Sequence, residues 1–389
     1  MHRRIGPLLL IVLLLFGCAR GVRVPLTVVK GGEAFELSDP IDRAVHESIE
    51  SGQIPGAVVL IGHRGKTIFK RAYGAREVLP VEKPMEVSTL FDLASLTKVI
   101  ALAPSILILK EQGKIHLDDS VSRYIPEFGV NGKESVTIRQ LLTHTSCFPS
   151  EDSLEGYEYG RRHSVGHIFS LPLECEPGST FIYSGLGYIV LGELVERVSG
   201  MDLAEFSRRH IFSPLGMRDT TFNPGWKLRA RAAPTEFRGG RWLKGFVEDP
   251  RAELLGGVAG HAGLFSTADD IAIFCQMILR GGTYNGKRVL SEDSIKEMVK
   301  PYSPRDKSAY RGLGWDMLSQ YSSPKGKYFP PGSFGHTGFS GTSIWIDPFS
   351  DTFIIILTNR VHPKATASIN PLRKRIANIV AVSVYTKGI

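Results

Sequence analysis

Ser95 and Lys98 stand three residues apart in FDLASLTKVIALAPSILILKEQGKI, and on a helix that spacing puts both on one face. A serine hydroxyl is unreactive until a base takes its proton, and a charged lysine, reference pKa about 10.4, is a poor base. Burial disfavours the ammonium and moves the amine toward neutrality. Val99, Ile100, Leu102, Ile106, Leu107 and Leu109 offer that burial, because they make the predicted helix apolar on every side. The run is too short, and too soon followed by Lys110, Glu111 and Lys114, to cross a membrane. Acyl transfer through Ser95 is one reading of the pair. A helix-entry serine with a lysine snorkelling to the surface is the other, and the stretch alone leaves both open. The same spacing recurs at Ser322 and Lys325, in a Pro- and Gly-rich loop where nothing would stack serine over lysine.

The elements around this helix suggest how it is held. IPGAVVLIGHRGKTIFKRAYG reads as two strands about an HRGK turn, whose likeness to a phosphate loop fails on spacing. From residue 95 to about 304 the patterns are mostly helical, as in GLGYIVLGELVERVSG and ADDIAIFCQMIL. Strands return in GLGWDML, GTSIWIDP and DTFIIILTNRVH, the last two joined by a PFSD turn, and NPLRKRIANIVAVSVY closes the chain as an amphipathic helix. The expected fold class is α+β, an antiparallel sheet flanked by helices and built from both chain ends. The sheet region is expected at 39–94 plus 305–389, with a mostly helical region, 95–304, inserted between. Clefts between such regions are where sites form. Pro104 falls inside the opening helix and should kink it or remove a hydrogen bond.

The chain has 389 residues and a net charge of +8, with apolar and charged fractions of a folded globular protein. Arg3, Arg4, Arg20, Arg23 and Lys30 account for part of that charge, and no dense basic run with interleaved aromatics argues for nucleic acid. The beginning, MHRRIGPLLLIVLLLFGCAR, has a basic stretch, a short apolar core and Gly-Cys. It resembles a bacterial lipoprotein signal over 1–18 with Cys18 as the lipidated residue; an ordinary cleaved signal peptide is the alternative. Residues 19–38 then read as a tether and 39–389 as the working domain, lipid-anchored to a membrane in the cell envelope outside the cytoplasm. Cys275 reads as a buried small apolar residue. Cys147 and Cys175 lie in loop-like stretches where an oxidising compartment would permit a bridge, and both the bridged and the free state stay open. No metal-ligand spacing is present, so no metal and no cofactor are expected.

Two further stretches bear on Ser95. Tyr183 and Ser184 immediately precede the helix of GLGYIVLGELVERVSG, and His336, Thr337 and Gly338 stand at the entry to a predicted strand. Ser95-x-x-Lys98, then Tyr183-Ser184, then His336-Thr337-Gly338, in that order, resembles the serine β-lactamase and penicillin-binding-protein superfamily, in its class C β-lactamase and D-Ala-D-Ala carboxypeptidase branch. The resemblance spans roughly residues 40 to 385. It implies Ser95 as the nucleophile that forms an acyl-enzyme and Lys98 as its base or proton relay. Tyr183 would pass a proton to the leaving group, and His336 would take the place of the third motif's cation. Ser184 and Thr337 would line the substrate, and Gly338 would let the backbone approach it. The backbone N–H groups of Ser95 and Phe339 would form the oxyanion hole.

One position departs: where the family pattern wants Asn after Tyr183-Ser184, this chain has Gly185, which puts efficient penicillin turnover in doubt. VEDPRAELLGGVAGHAGLFSTADDIAIF and IILTNRVHP resemble a branch that includes exo-acting N-acetylmuramoyl-L-alanine amidases. That likeness could bring Asp249 and His261 near the cleft, although the glycine-rich stretch reads more simply as a tight loop joining the two regions. His144 reads as a structural loop histidine, and Asp118 and Asp119 as turn and capping residues. The expected function is a serine hydrolase acting through an acyl-enzyme on an amide in peptidoglycan or its fragments, of amidase or D,D-carboxypeptidase type. An esterase, a β-lactamase or a catalytically silent wall-binding lipoprotein are the alternatives. The sequence does not determine the oligomeric state.

Overall fold

The computed structural model describes residues 32–365 and 368–387. The expected signal segment, Cys18 and the tether as far as residue 31 lie outside the described residues.

Helix α1 (Gly32–Glu50) opens the described chain, and the last residues of the expected tether belong to it. Strands β1 (Gly56–His63) and β2 (Lys66–Glu77) follow as a hairpin. Its two turn residues, Arg64 and Gly65, both take positive φ, as the tight turn between right-twisted strands requires. With β3 (Lys83–Pro84) these form one end of an eight-stranded sheet. The other end comes from the C-terminal part of the chain: β4 (Tyr310–Arg311), β5 (Asp316–Leu318), β6 (Phe334–Thr337), β7 (Ser343–Asp347) and β8 (Thr352–Thr358). The order across the sheet is β4-β5-β6-β7-β8-β1-β2-β3, every neighbouring pair antiparallel. The two chain ends meet at β1 and β8, where Val59 stands opposite Ile356.

β1 is buried along its whole length because both faces of the sheet are covered. Ala57, Val59 and Ile61 point to one core, with residues of α1 and of the closing helix α5 (Asn370–Lys387). Val58 and Leu60 point to the other, larger core, shared with the helical region. That alternation is the period of two of a pleated strand, and burial on both faces explains the unbroken apolar runs in β1 and β8. Within the helical region α2 (Ala103–Glu111), α3 (Gly185–Ser199) and α4 (Ala268–Leu279) pack into the larger core. A small three-stranded sheet also stands there, pairing Phe91–Asp92 and Thr221–Phe222 with Leu264–Ser266.

The opening helix is not one continuous α-helix from Ser95. A 3-10 turn over Ala94–Leu96 leads to a π turn over Lys98–Leu102, and regular α-helix begins only at Ala103. Pro104 explains the difference. It stands inside a continuous helical run, where its missing N–H removes one helical bond, and the turn before it is widened: Ala103 N–H reaches back five residues to Lys98 O.

Candidate active site

The turn that carries Ser95 is held from several sides. Ala94 takes a positive φ of 46° although it has a side chain and is buried, a conformation costing on the order of 1–3 kcal/mol. Asp92 fixes it: one carboxylate oxygen accepts the Ala94 N–H at 2.8 Å and the other the Glu248 N–H at 2.7 Å. Thr97 Oγ1 donates to Ala94 O at 2.7 Å and accepts from Leu264 N–H at 3.2 Å. Ser340 Oγ and Thr342 Oγ1 donate to Asp92 O and Leu93 O, which ties the loop after β6 to the nucleophile turn. A Cβ on Gly338 would stand 2.5 Å from Leu93 O and 2.2 Å from Thr342 Oγ1. Gly338 is thus required by the approach of two protein segments, where the sequence reading had it facing substrate. The buried Arg373 of α5 donates to Gly338 O and Thr342 O and holds the same loop from behind.

Within this frame Lys98 Nζ is 3.0 Å from Ser95 Oγ and 3.1 Å from His261 O, and Lys98 is 1 % exposed. The snorkelling alternative is therefore excluded. Nζ also lies 5.1 Å from the centre of the Tyr183 ring and 5.5 Å from that of Tyr188, so two aromatic faces surround the amine. Ser95, Tyr183, His336, Thr337 and Phe339 line one cavity. A second, of about 550 Å³, shares Ser95, Tyr183 and Phe339 and adds Lys98, Asp249 and His261. They are two lobes of one cleft that meet at Ser95.

Tyr183 is positioned by a histidine. His144, fully buried, has its ring 4.4 Å from that of Tyr183 and stacks at 4.9 Å on Tyr188. Its Nδ1 accepts the Ser184 N–H at 3.0 Å, and burial, with Arg311 and Lys98 nearby, holds the ring neutral. Cys147 and Cys175 form a disulfide, which settles the alternative left open above. The bridge fastens residues 174–184 to the loop of His144, with Ile182 N–H donating to His144 O at 3.0 Å and Gly178 N–H to Thr145 O at 2.7 Å.

Two sequence expectations are corrected. Ser184 does not face substrate: it is 2 % exposed, caps α3 by accepting the Gly187 N–H at 2.9 Å, and donates to Pro149 O. His336 does not supply a positive charge. Burial, Arg311 and Lys98 push its pKa well below the ordinary histidine value, and its Nδ1 donates to Thr337 O at 2.9 Å. The permanent cation on that side is Arg311, 1 % exposed, which sequence reasoning missed. Its guanidinium lies 5.9 Å from the Tyr183 ring centre and 5.4 Å from that of Phe181; it donates to Gly314 O at 2.9 Å and pairs with Asp316 at 3.4 Å. Tyr321, half-exposed and 5.4 Å from Tyr183, was missed as well. Neither has a local sequence signal, because each reaches the cleft from the edge of the sheet.

Asp249 and His261 join the cleft wall, paired at 2.9 Å. The glycine-rich loop around them is also structural, since a Cβ on Gly260 would collide with Tyr188 O at 1.9 Å. Both readings of that loop hold. Asp118 and Asp119 bond to Arg139, Arg123 and the His116 N–H as turn residues. Ser322 donates to Asp316, away from Lys325.

The model of the family described as Beta-lactamase matches residues 41–378, and the chain belongs to this family. It is a serine hydrolase of β-lactamase type with a β-lactamase/transpeptidase-like fold. A protein of Escherichia coli (strain K12) named "Putative D-alanyl-D-alanine carboxypeptidase" is 33% identical over 381 residues, covering 88% of this chain and 87% of that one. Among solved structures, "A class C beta-lactamase" superposes with a TM-score of 0.73 at 19% identity, over 90% of this chain and 98% of that one. "EstCE1, a hydrolase with promiscuous acyltransferase activity" superposes with a TM-score of 0.72 at 24% identity, over 88% and 98%. These two show the shared fold.

Proposed function

We propose that the protein hydrolyses an amide bond in peptidoglycan or its fragments, removing terminal D-alanine in the manner its relatives' name describes. The observation that carries the reading is Lys98 Nζ within 3.0 Å of Ser95 Oγ, in a buried site beneath Tyr183. Ser95 Oγ attacks the carbonyl carbon as Lys98 takes its proton. The resulting oxyanion is received by the backbone N–H groups of Ser95 and Phe339, donors fixed before charge develops. Collapse breaks the C–N bond, and Tyr183 delivers a proton to the departing nitrogen. Lys98 returns the Ser95 proton to Tyr183; water then attacks the Ser95 ester, its proton passing through Tyr183 and Lys98 to Ser95 Oγ as the C–Oγ bond breaks and the acid is released. Arg311, paired with Asp316, lies beside Tyr183 on that side of the cleft, while His336 stays neutral.

A second reading, cleavage of the amide between muramic acid and the stem peptide, is favoured by Gly185 and the Asp249–His261 loop. The same acyl transfer serves both. Anchorage through a lipid on Cys18, at the outer side of a membrane, fits either substrate and is tested by metabolic labelling with a palmitate analogue in wild type and Cys18→Ala. The substrate is tested by mass spectrometry of a muropeptide mixture treated with the protein from residue 21 onward and with its Ser95→Ala variant. Loss of a terminal alanine establishes the carboxypeptidase, and release of intact stem peptide the amidase. An unchanged mixture with folded protein refutes both.

A further inference from the structure

The larger lobe of the cleft carries a carboxylate that the acyl-transfer machinery does not use. Asp249 Oδ1 accepts the Ala252 N–H at 2.8 Å and bonds His261 Nε2 at 2.9 Å. Both partners sit on one oxygen, so the carboxylate is fixed in place. Its second oxygen, Oδ2, takes no hydrogen bond among the described residues, and the side chain keeps 27% of its exposure. The residue lines the same cavity as Ser95 and Lys98.

Among the buried carboxyls lining this lobe, Asp249 is the one its surroundings hold as an anion; Glu151, also in the lining, is exposed to solvent. Burial opposes its ionisation, but the His261 ring, the Ala252 N–H and the Lys98 ammonium hold its carboxyl well below the usual carboxylate range. Neighbouring Glu248 is pushed the other way, up to about 8, by burial and by Asp92, Glu236 and Asp249. Arg251 is turned into Asp152 at 2.8 Å, with Glu151 3.9 Å from it. The cavity is open at Gly185, the first residue of α3, which lines it together with Asp249. A Cβ on Gly185 would meet nothing nearer than Ser150 O at 3.5 Å and His261 Cδ2 at 3.7 Å.

We infer that Asp249 is a specificity-determining residue, selecting acyl groups that present an N–H or ammonium donor next to the scissile carbonyl. The inference rests on the acyl-enzyme reading above. Tyr183 borders both lobes; the acyl group is placed in the larger one, beside Asp249, and the leaving group in the smaller one, toward His336. A carboxylate oxygen can only accept. A substrate that donates to Oδ2 satisfies it, whereas one of the same shape without the donor covers that oxygen and leaves it without a hydrogen bond. Sites built this way reject the donor-less isostere strongly. His261 joins the two tasks, since its ring orients Asp249 while its carbonyl accepts from Lys98.

Two esters of nearly equal shape make the test: p-nitrophenyl N-acetylglycinate, and p-nitrophenyl levulinate, which has CH₂ in place of N–H. Rates are divided by those for hydroxide. Wild type is expected to favour the first in kcat/KM by about 10- to 100-fold. Asp249→Ser keeps a cap for Ala252 but removes Oδ2, and its ratio should fall to within about threefold of unity. Asp249→Asn, nearer in shape, covers the case in which the serine variant does not fold. An equal preference in wild type and both variants overturns the inference and leaves the acyl-enzyme untouched. Hydrolysis of neither ester by folded wild type overturns the acyl-enzyme reading, and this inference with it.

Discussion

Lys98 Nζ is 3.0 Å from Ser95 Oγ and 3.1 Å from the carbonyl oxygen of His261, a residue 163 positions further along the chain. The second contact aims the amine. The bond to His261 O holds Nζ against Ser95 Oγ, where it can exchange a proton with the hydroxyl, and the π turn at Lys98–Leu102 carries it. Lys98→Ala should therefore slow acylation by about 10²- to 10⁴-fold while the circular dichroism stays that of wild type. Full activity in a folded Lys98→Ala protein would remove the lysine from the mechanism.

Arg311 should act on the same step through Tyr183. Replacing it with Met removes the buried positive charge beside the phenol and beside His336. Acylation of an ester probe is expected to fall by about 10- to 100-fold, and the His336 pKa, followed by NMR, to rise toward its ordinary value. A rate loss with His336 unmoved would make Arg311 a packing residue only.

The disulfide supports catalysis by fastening the segment that carries Tyr183. Cys147 and Cys175 are 28 residues apart, and a loop of that size contributes about 3.6 kcal/mol by the chain-entropy account. The double serine variant should lose stability of that order in urea titrations and should lose kcat even where it remains folded. Loss of stability with kcat unchanged would mean that the His144–Tyr183 stack holds by itself.

Stability should carry a pH signature from the acidic wall. Asp92 and Glu248 have folded-state pKa values raised to about 6 and about 8 by burial. Raised carboxyls bind protons more tightly in the folded than in the unfolded state. Stability is therefore highest below the unfolded value near 4 and falls as pH rises through 6 and 8. His336 has the opposite sign of effect at the acid end: its pKa is lowered, so stability is lost as pH falls below about 6.5. Glu248→Gln should raise Tm relative to wild type at pH 8.5 and change it little at pH 5. An equal Tm difference at both values would show that Glu248 does not titrate in this range.

Much of this architecture was legible in the sequence because it rests on patterns within single segments. The alternation in β1, the HRGK turn and the apolar run after Lys98 each point to one local structure. The sheet built from both chain ends follows from where those segments fall. What escaped depends on distant segments meeting. Ser184 looked like a cleft residue until its hydroxyl was seen capping α3. His336 looked cationic until Arg311, arriving on the edge strand β4, displaced it from that role. Asp249 and His261 were placed near the cleft only by a family resemblance, with no role attached. Their pairing depends on the close approach of Gly260 to Tyr188 O, which no periodicity reveals.

The central claim, that Ser95 forms the acyl-enzyme with Lys98 as its base, is tested most directly by mass spectrometry of the intact protein after exposure to a fluorophosphonate. One adduct is expected on wild type, mapped by digestion to the peptide containing Ser95. It should be absent from Ser95→Ala and form far more slowly on Lys98→Ala. An adduct on another residue, or equal labelling of wild type and Ser95→Ala, would contradict the account.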